Sequence, residues 1–437
     1  MRKRVVIIGA GLAGLSAAYH LEKQGFTDYL TLEKDSEVGG LCKSFRINGF
    51  TFDFAPHIFY TKDRYVEGLI KNVLLLRSNF RSEVRKSFVY YRGVYTEYPF
   101  QANLYGQHPD IIKECIVGLI KARYESRINP RNFEEWIYAT FGEGIGKHFM
   151  IPYNRKQWAI DPKEMDYDWI VDRVPIPEIE NVLDGALKPA QKRYGQNAYF
   201  GYPLRGGMGS LPKGFLPHIR DLRLNSEVYN ISLGRSEIEV NDMRIRYDSL
   251  ISTIPLPTLV SLIEDVPTEV EKAAKDLQYN IVYTVNLGID GPSISDYHWI
   301  YFPEDKYIFQ RISFPTNLSP FVAPEGKSSI TAEVSASKYK PLKVDEERLA
   351  DVVINDLIKA NLLKETHTIL FKDVKVLNPA YIIYNCRRGR NVKIIHQFLR
   401  KNRIYPCGRF GEWEYLNMDH SILSGRRGAR KAINASR

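Results

Sequence analysis

Gly9-Ala10-Gly11-Leu12-Ala13-Gly14 is where residue types and spacing in this chain most plainly suit chemistry, and that chemistry is the binding of a dinucleotide. Gly9 allows a tight turn, Gly11 lets backbone approach a pyrophosphate, and Gly14 lets a helix pack closely on a strand. The helix that follows would point its N-terminus at the phosphate anion. Glu33 lies about 20 residues on, where a carboxylate accepts from a ribose hydroxyl and disfavours a 2′-phosphate.

The elements needed to position these residues are present. Arg4-Val5-Val6-Ile7-Ile8 reads as a strand. Leu12, Leu15, Ala18 and Leu21 recur at helical spacing until Gly25, and Tyr29-Leu30-Thr31-Leu32 reads as a second strand. A glycine-rich turn alone is weak evidence; strand, turn, helix, strand and acid in order make a βαβ dinucleotide unit. Two later stretches could complete its sheet: 222–253, with strand-like 223–228 leading to 250–253, and 403–409 followed by a C-terminal helix. Residues 109–194 look helical, with Ile111, Ile112, Cys115, Ile116 and Leu119 on one face and Asn132 as the cap of a second helix. Residues 280–339 turn to strand alternation, and a helix is expected over 345–362.

The chain has 437 residues, 44 % hydrophobic and 26 % charged, which suits two or three globular domains. Its net charge of +10 suits an anionic ligand, although the basic groups read as scattered apart from 426–431. Nothing else points to nucleic acid. Cys42, Cys115, Cys386 and Cys407 form neither CxxC nor a metal-ligand spacing, so free thiols, no metal and a cytoplasmic setting are expected. The basic start and apolar run at 1–15 mimic a signal peptide but are consumed by the first strand and turn. No apolar stretch is long enough to span a bilayer.

A second constellation combines arginines with aromatics. It comprises Tyr98-Pro99-Phe100-Gln101, Pro152-Tyr153-Asn154-Arg155-Lys156-Gln157-Trp158, Arg173, Trp299-Ile300-Tyr301-Phe302-Pro303-Glu304-Asp305, Arg311, Tyr381 and Arg409-Phe410-Gly411-Glu412-Trp413-Glu414-Tyr415. Any one of these is ordinary core or surface.

The glycine pair in Glu37-Val38-Gly39-Gly40-Leu41 resembles the segment that follows the fingerprint in FAD-containing amine oxidases, protoporphyrinogen oxidases and UDP-galactopyranose mutases. The arginine and aromatic strings, with Tyr202-Pro203-Leu204-Arg205-Gly206-Gly207, resemble the mutases across nearly the whole chain, in particular the eukaryotic branch. Ala55-Pro56-His57-Ile58-Phe59 is similar to that family's histidine loop, in its bacterial form, with Ala55 where Gly is usual.

The resemblance implies an α/β fold. A Rossmann-like, FAD-binding domain of amine oxidase type would be built from 1–75, 205–275 and 385–437. A helical insert over 105–195 and an antiparallel sheet domain from 76–104 and 276–384 would complete it. The implied FAD contacts are Gly9, Gly11, Leu12, Ala13, Gly14, Glu33, Lys34, Gly40, Leu41, Val228, Gly408, Arg409, Asn417, Met418 and Ser421. Uracil would be met by Tyr98, Phe59, Gln101 and Asn197, with Asn154 and Trp158 nearby. The diphosphate would be held by Arg173 and Arg311 with the phenols of Tyr301, Tyr381 and Tyr415.

The implied reaction is the interconversion of UDP-galactopyranose and UDP-galactofuranose without net redox. Reduced FAD is the nucleophile, through N5, on the anomeric carbon. Arg173 and Arg311 would hold UDP through departure and return, and His57 would orient its loop. Alanine at either arginine is expected to leave a folded, FAD-bearing but inactive protein. The reductant would be NADPH or another donor, and a homo-oligomer is compatible. The rivals are an oxidoreductase of amine or protoporphyrinogen oxidase type, which needs no phosphate arginines, and a flavin-free binding module like the GDP-dissociation inhibitors, which the intact fingerprint opposes.

Overall fold

The structure, a computed structural model, describes residues 1–125, 129–170, 173–189, 192–195 and 197–435. The strand Arg2–Ile8 ends in a run of buried residues, Val5 to Ile8, as a central parallel strand requires. It runs parallel to Tyr29–Leu32 on one side and Met243–Ser252 on the other. Ile8 lies opposite both Leu32 and Ser252, so three strand ends open level with one another. The strand Met243–Ser252 then forks. Its first half pairs antiparallel with Glu237–Val240, and its second half pairs parallel with Ile404–Pro406.

The strand expected over 223–228 is broken. Leu222–Arg223 pairs with Tyr29–Leu32, Val228–Ser232 pairs with Glu237–Val240, and Asn225 at φ 49° turns the chain between them. Apolar patterning did not reveal this turn, which rests on one left-handed Asn.

Helices cover both faces of this sheet. Leu12–Lys23 and Met418–Ala435 pack on one face around Val5, Ile7, Ala17, Leu21 and Ala432. They approach so closely that a Cβ on Gly425 would sit 2.1 Å from the Ala13 carbonyl oxygen. Arg388–Lys401 covers the other face through Val392, Ile395 and Leu399.

The second sheet runs in the order 368–383, 278–290, 328–336, 311–313, 299–301, 87–91, 94–97. It is mixed, not antiparallel as expected, because Trp299–Tyr301 runs parallel to Ser87–Tyr91. The hairpin over 87–97 docks onto this edge from a remote part of the chain, so strand alternation within 280–339 gives no hint of its direction. One face of the sheet buries Val285, Ile300, Ile312 and Ala332 under the helix Glu346–Lys359, which is shorter than the span expected over 345–362. By strand alternation the other face carries Trp299, Tyr301, Arg311, Ser313 and Glu333.

The helical expectation over 109–194 is met by Pro109–Tyr124, Phe133–Ile145, Ile151–Trp158 and Ile179–Leu187, with short turns between them. Residues 126–128, 171–172 and 190–191 of that span lie outside the described residues. Asn132 is the expected cap: its side chain accepts from the Glu135 N–H at 2.9 Å.

Candidate functional site

The level strand ends open into a cleft of about 590 Å³. Of the expected cofactor residues, Gly9, Gly11, Leu12, Ala13, Glu33, Lys34, Gly40, Leu41, Val228, Gly408, Arg409, Met418 and Ser421 line it. Gly14 and Asn417 do not. Gly14 lies behind the turn, where a Cβ would be 1.9 Å from the Gly9 carbonyl oxygen. The Asn417 carbonyl accepts from the Ser421 N–H. The cleft wall also includes Thr253, at the end of the expected 250–253 segment, and Tyr279 with residues 376–379 of the strand 368–383, which no sequence motif marked.

The lining of the cleft fits a dinucleotide. At Gly11 the nearest atom to an added Cβ is 3.9 Å away, so this side of the turn is open. Gly11 caps the helix Leu12–Lys23 with no side-chain bond, which leaves that helix N-terminus to an anion. Glu33 is buried. Its Oε2 accepts from the Ala10 N–H at 2.7 Å and its Oε1 from the Asp35 N–H, so the carboxylate braces the turn while lining the cleft. Gly408 adopts φ 77°, and a Cβ there would meet Ala13. Burial pushes the Cys42 thiol, also in the wall, up to about 12 and keeps it unreactive. Among the described residues no group of three or more His, Cys, Asp or Glu could hold a metal ion.

His57 and Arg409 also line this cleft. The His57 Nδ1 lies 2.9 Å from the Ala55 carbonyl oxygen. A carbonyl only accepts, so Nδ1 carries the proton and Nε2 is left as an acceptor. Burial, with Arg409 and Arg311 nearby, lowers this imidazole to about 4, so it is neutral near pH 7. Ala55 holds φ 63°, a left-handed conformation that glycine takes without strain.

Beyond Arg409 the expected arginines and tyrosines gather. The Arg409 guanidinium lies 4.9 Å from the Tyr415 ring centre and 5.8 Å from that of Tyr381. Arg173 lies 4.5 Å from the same Tyr415 ring and donates from Nη2 to the Tyr415 carbonyl. Trp158 meets the edges of Tyr381 and Tyr415. Tyr301 stands opposite Arg311 on the next strand, 4.7 Å from the Tyr98 ring. Burial raises the phenols of Tyr98 and Tyr381, with Arg311 near enough to both to oppose it. Both phenols are therefore protonated donors at neutral pH.

Other expected residues are already engaged. Asn154 donates to the Met150 carbonyl and accepts from Trp158 Nε1. Asn197 accepts from Arg85. Gln101 donates to the Pro175 carbonyl, and its buried Oε1 has no partner among the described residues. Phe59 is buried against Phe80, on backbone paired with Gly201.

Three side chains that sequence reasoning missed hold this site. Glu333 pairs with Arg311. Arg85, buried, binds Asn197 and stacks on Tyr98. The Lys156 Nζ lies within 2.7–2.9 Å of the carbonyl oxygens of Phe302, Glu304, Tyr307 and Phe309. The one available signal was strand alternation: in Thr331-Ala332-Glu333-Val334-Ser335 it puts a carboxylate on the face that also carries Arg311.

Comparison with known proteins adds four findings. A family model described as flavin containing amine oxidoreductase matches residues 12–433. The chain is similar to a crystal structure of reduced UDP-galactopyranose mutase, with TM-score 0.94 and 30 % identity, covering 99 % of this chain and 94 % of that one. Among curated relatives it is 25 % identical over 182 residues to a probable UDP-galactopyranose mutase of Klebsiella pneumoniae, covering 40 % of this chain and 45 % of that protein. It is 21 % identical over 424 residues to protoporphyrinogen oxidase 2 of Arabidopsis thaliana, covering 81 % and 79 %. The chain spans less than half the length of several curated relatives it matches.

Proposed function

This chain belongs to the flavin containing amine oxidoreductase family, and we propose that within it the chain acts as a UDP-galactopyranose mutase. The observation that carries this reading is the likeness over nearly the whole length to the reduced mutase, at TM-score 0.94 and 30 % identity. The family implies a flavin, and a bound, reduced FAD would supply the nucleophile for the anomeric carbon of the sugar, without net oxidation.

The protein supplies position and charge. Gly9, Gly11 and the helix after them hold the pyrophosphate, and Glu33 holds the ribose. Arg173 and Arg311 bind the diphosphate of the nucleotide sugar and stabilise the charge that grows as UDP leaves. Arg311 gives two of its five N–H groups to Glu333, which leaves three for phosphate oxygens. Tyr98, Tyr301, Tyr381 and Tyr415 wall the space between the arginines, and the protonated phenols of Tyr98 and Tyr381 are free to donate. His57, neutral, fixes the Ala55 turn beside the flavin instead of moving a proton.

The test is incubation of dithionite-reduced protein with UDP-galactofuranose, with nucleotide sugars followed by chromatography. Conversion to UDP-galactopyranose by the reduced protein alone is expected. Equal conversion by oxidised protein, or none with flavin bound and reduced, would overturn the reading. Oxygen consumption with an amine or a porphyrinogen would point to an oxidase instead.

A further inference from the structure

Two segments of this chain concentrate its positive charge. Residues 387–403 and 426–431 together hold eleven Lys and Arg and no Asp or Glu, against a net charge of +10 for the whole chain. The rest of the protein is therefore close to neutral overall, and 387–403 joins 426–431 as a basic segment without an acid.

These two segments flank a single strand. The helix Arg388–Lys401 covers one face of the nucleotide sheet and the helix Met418–Ala435 covers the other, with Ile404–Pro406 between them at the fork. Four of the cations are engaged. Arg387 pairs with Asp276, Arg388 binds the Trp413 carbonyl, Arg427 pairs with Glu412, and Arg426 lies over Tyr65. The exposed Arg390, Lys393, Arg400, Lys401, Arg403, Arg430 and Lys431 have no carboxylate partner among the described residues.

Their position relative to the cleft follows from strand direction. Gly408, just past the end of the strand Ile404–Pro406, lines the cleft, and so do Met418 and Ser421 at the start of the last helix. The Arg403 carbonyl, at the strand's beginning, accepts from the Leu250 N–H, and Ala432 and Ile433, fourteen residues and more beyond the start of the last helix, share a core cluster with Tyr29, the first residue of its strand. Arg400, Lys401, Arg403, Arg430 and Lys431 therefore stand at the end of the fold away from the cleft. Whatever they bind leaves the cleft open.

We propose that this basic end docks on an anionic lipid surface, peripherally and by charge alone. Every exposed residue in 387–403 is Arg, Lys, Gln or Gly, so this helix presents no exposed aromatic side chain for base stacking and no exposed apolar one for insertion. Both helices lie flat on the sheet, so neither projects into the groove of a nucleic acid duplex. Such cations attract a negatively charged leaflet within a Debye length of its surface.

The test is co-sedimentation of the full protein with phosphatidylcholine vesicles, with and without phosphatidylserine. Binding is expected only with phosphatidylserine, and it should vanish at about 0.5 M salt. Each basic residue near such a surface is worth about fivefold in partition, so Lys393→Gln, Arg400→Gln and Lys401→Gln together should weaken it at least tenfold. Arg430→Gln with Lys431→Gln is the independent second variant, and flavin content checks the fold of both. Unchanged partition of both variants, equal binding to neutral vesicles, or tighter binding to duplex DNA than to anionic vesicles at the same salt would overturn the proposal.

Discussion

Arg311 and Glu333 face each other across adjacent antiparallel strands, and the carboxylate accepts two parallel hydrogen bonds, from Nε at 2.5 Å and Nη2 at 2.8 Å. The Glu333 side chain is 2 % exposed and that of Arg311 19 %. The pair is thus a buried fork that fixes the plane of the guanidinium. Glu333→Ala leaves a buried cation without its partner, a change that costs about 3–5 kcal/mol. Denaturant midpoints measure this, and UDP affinity should fall with it because Arg311 loses its fixed plane. An unchanged midpoint would show that the pair holds nothing in place.

The two arginines differ in what surrounds them, so alanine should act differently at each. Arg173 is half-buried, stacks on Tyr415 and binds a backbone carbonyl, so its removal strands no buried charge. Arg173→Ala should therefore fold, keep its flavin and lose about 10²-fold in turnover, the usual loss when one donor to developing charge is removed. Arg311→Ala strands Glu333 and should lose stability as well as turnover. Turnover within a few-fold of the parent in Arg173→Ala would remove that residue from the site.

The expectation that alanine at either arginine leaves a folded, FAD-bearing protein was drawn without Glu333, which is distant in sequence and pairs with Arg311. The glycine turn was legible because its chemistry is local: Gly9, Gly11 and Glu33 belong to one βαβ unit. Asn132 was legible as a cap for the same reason. Lys156 was not, although it stands in the string that drew attention to Asn154 and Trp158. Its partners are carbonyls of 302–309, and nothing in side-chain identity shows where backbone carbonyls converge. The parallel docking of the hairpin over 87–97, and the meeting of the basic stretch 387–403 with 426–431 across the fork, escaped notice in the same way. Each depends on which remote segments meet.

Gly11 and Gly14 belong to one motif but should respond differently to a methyl group. At Gly14 a Cβ would lie 1.9 Å from the Gly9 carbonyl oxygen, so Gly14→Ala must push the helix off the strand. Lower stability and loss of flavin are both expected. At Gly11 the nearest atom is 3.9 Å away, on the side where phosphate would sit. Gly11→Ala should keep the apoprotein's unfolding midpoint and still bind flavin poorly. Flavin absorbance per mole, read beside the midpoint in urea, separates the two. Full flavin occupancy in Gly11→Ala would mean that the pyrophosphate does not lie on this turn.

Lys156 sets a pH dependence that can be isolated by difference. Its Nζ, buried at 4 % residue exposure, meets four carbonyl oxygens of the segment that joins Tyr301 to Arg311. Burial lowers it from its usual 10.5 to about 7, with Lys340 adding to the shift and Asp305, Asp356 and Glu304 opposing it. The folded state therefore releases this proton at lower pH than the unfolded state. Between about 7 and 10.5 the unfolded chain binds more protons, so this residue's contribution to stability rises with pH across that window and is lost as pH falls back through it. Lys156→Met removes the titration and strands the carbonyls, at a cost of about 1–3 kcal/mol for each buried group left without a partner. The gap in unfolding free energy between the parent and Lys156→Met should widen from about pH 7 to pH 9. Urea titrations of both proteins at several pH values read it directly. A gap that stays flat or narrows would show that four carbonyl dipoles hold the ammonium charged throughout, and that burial does not decide its state.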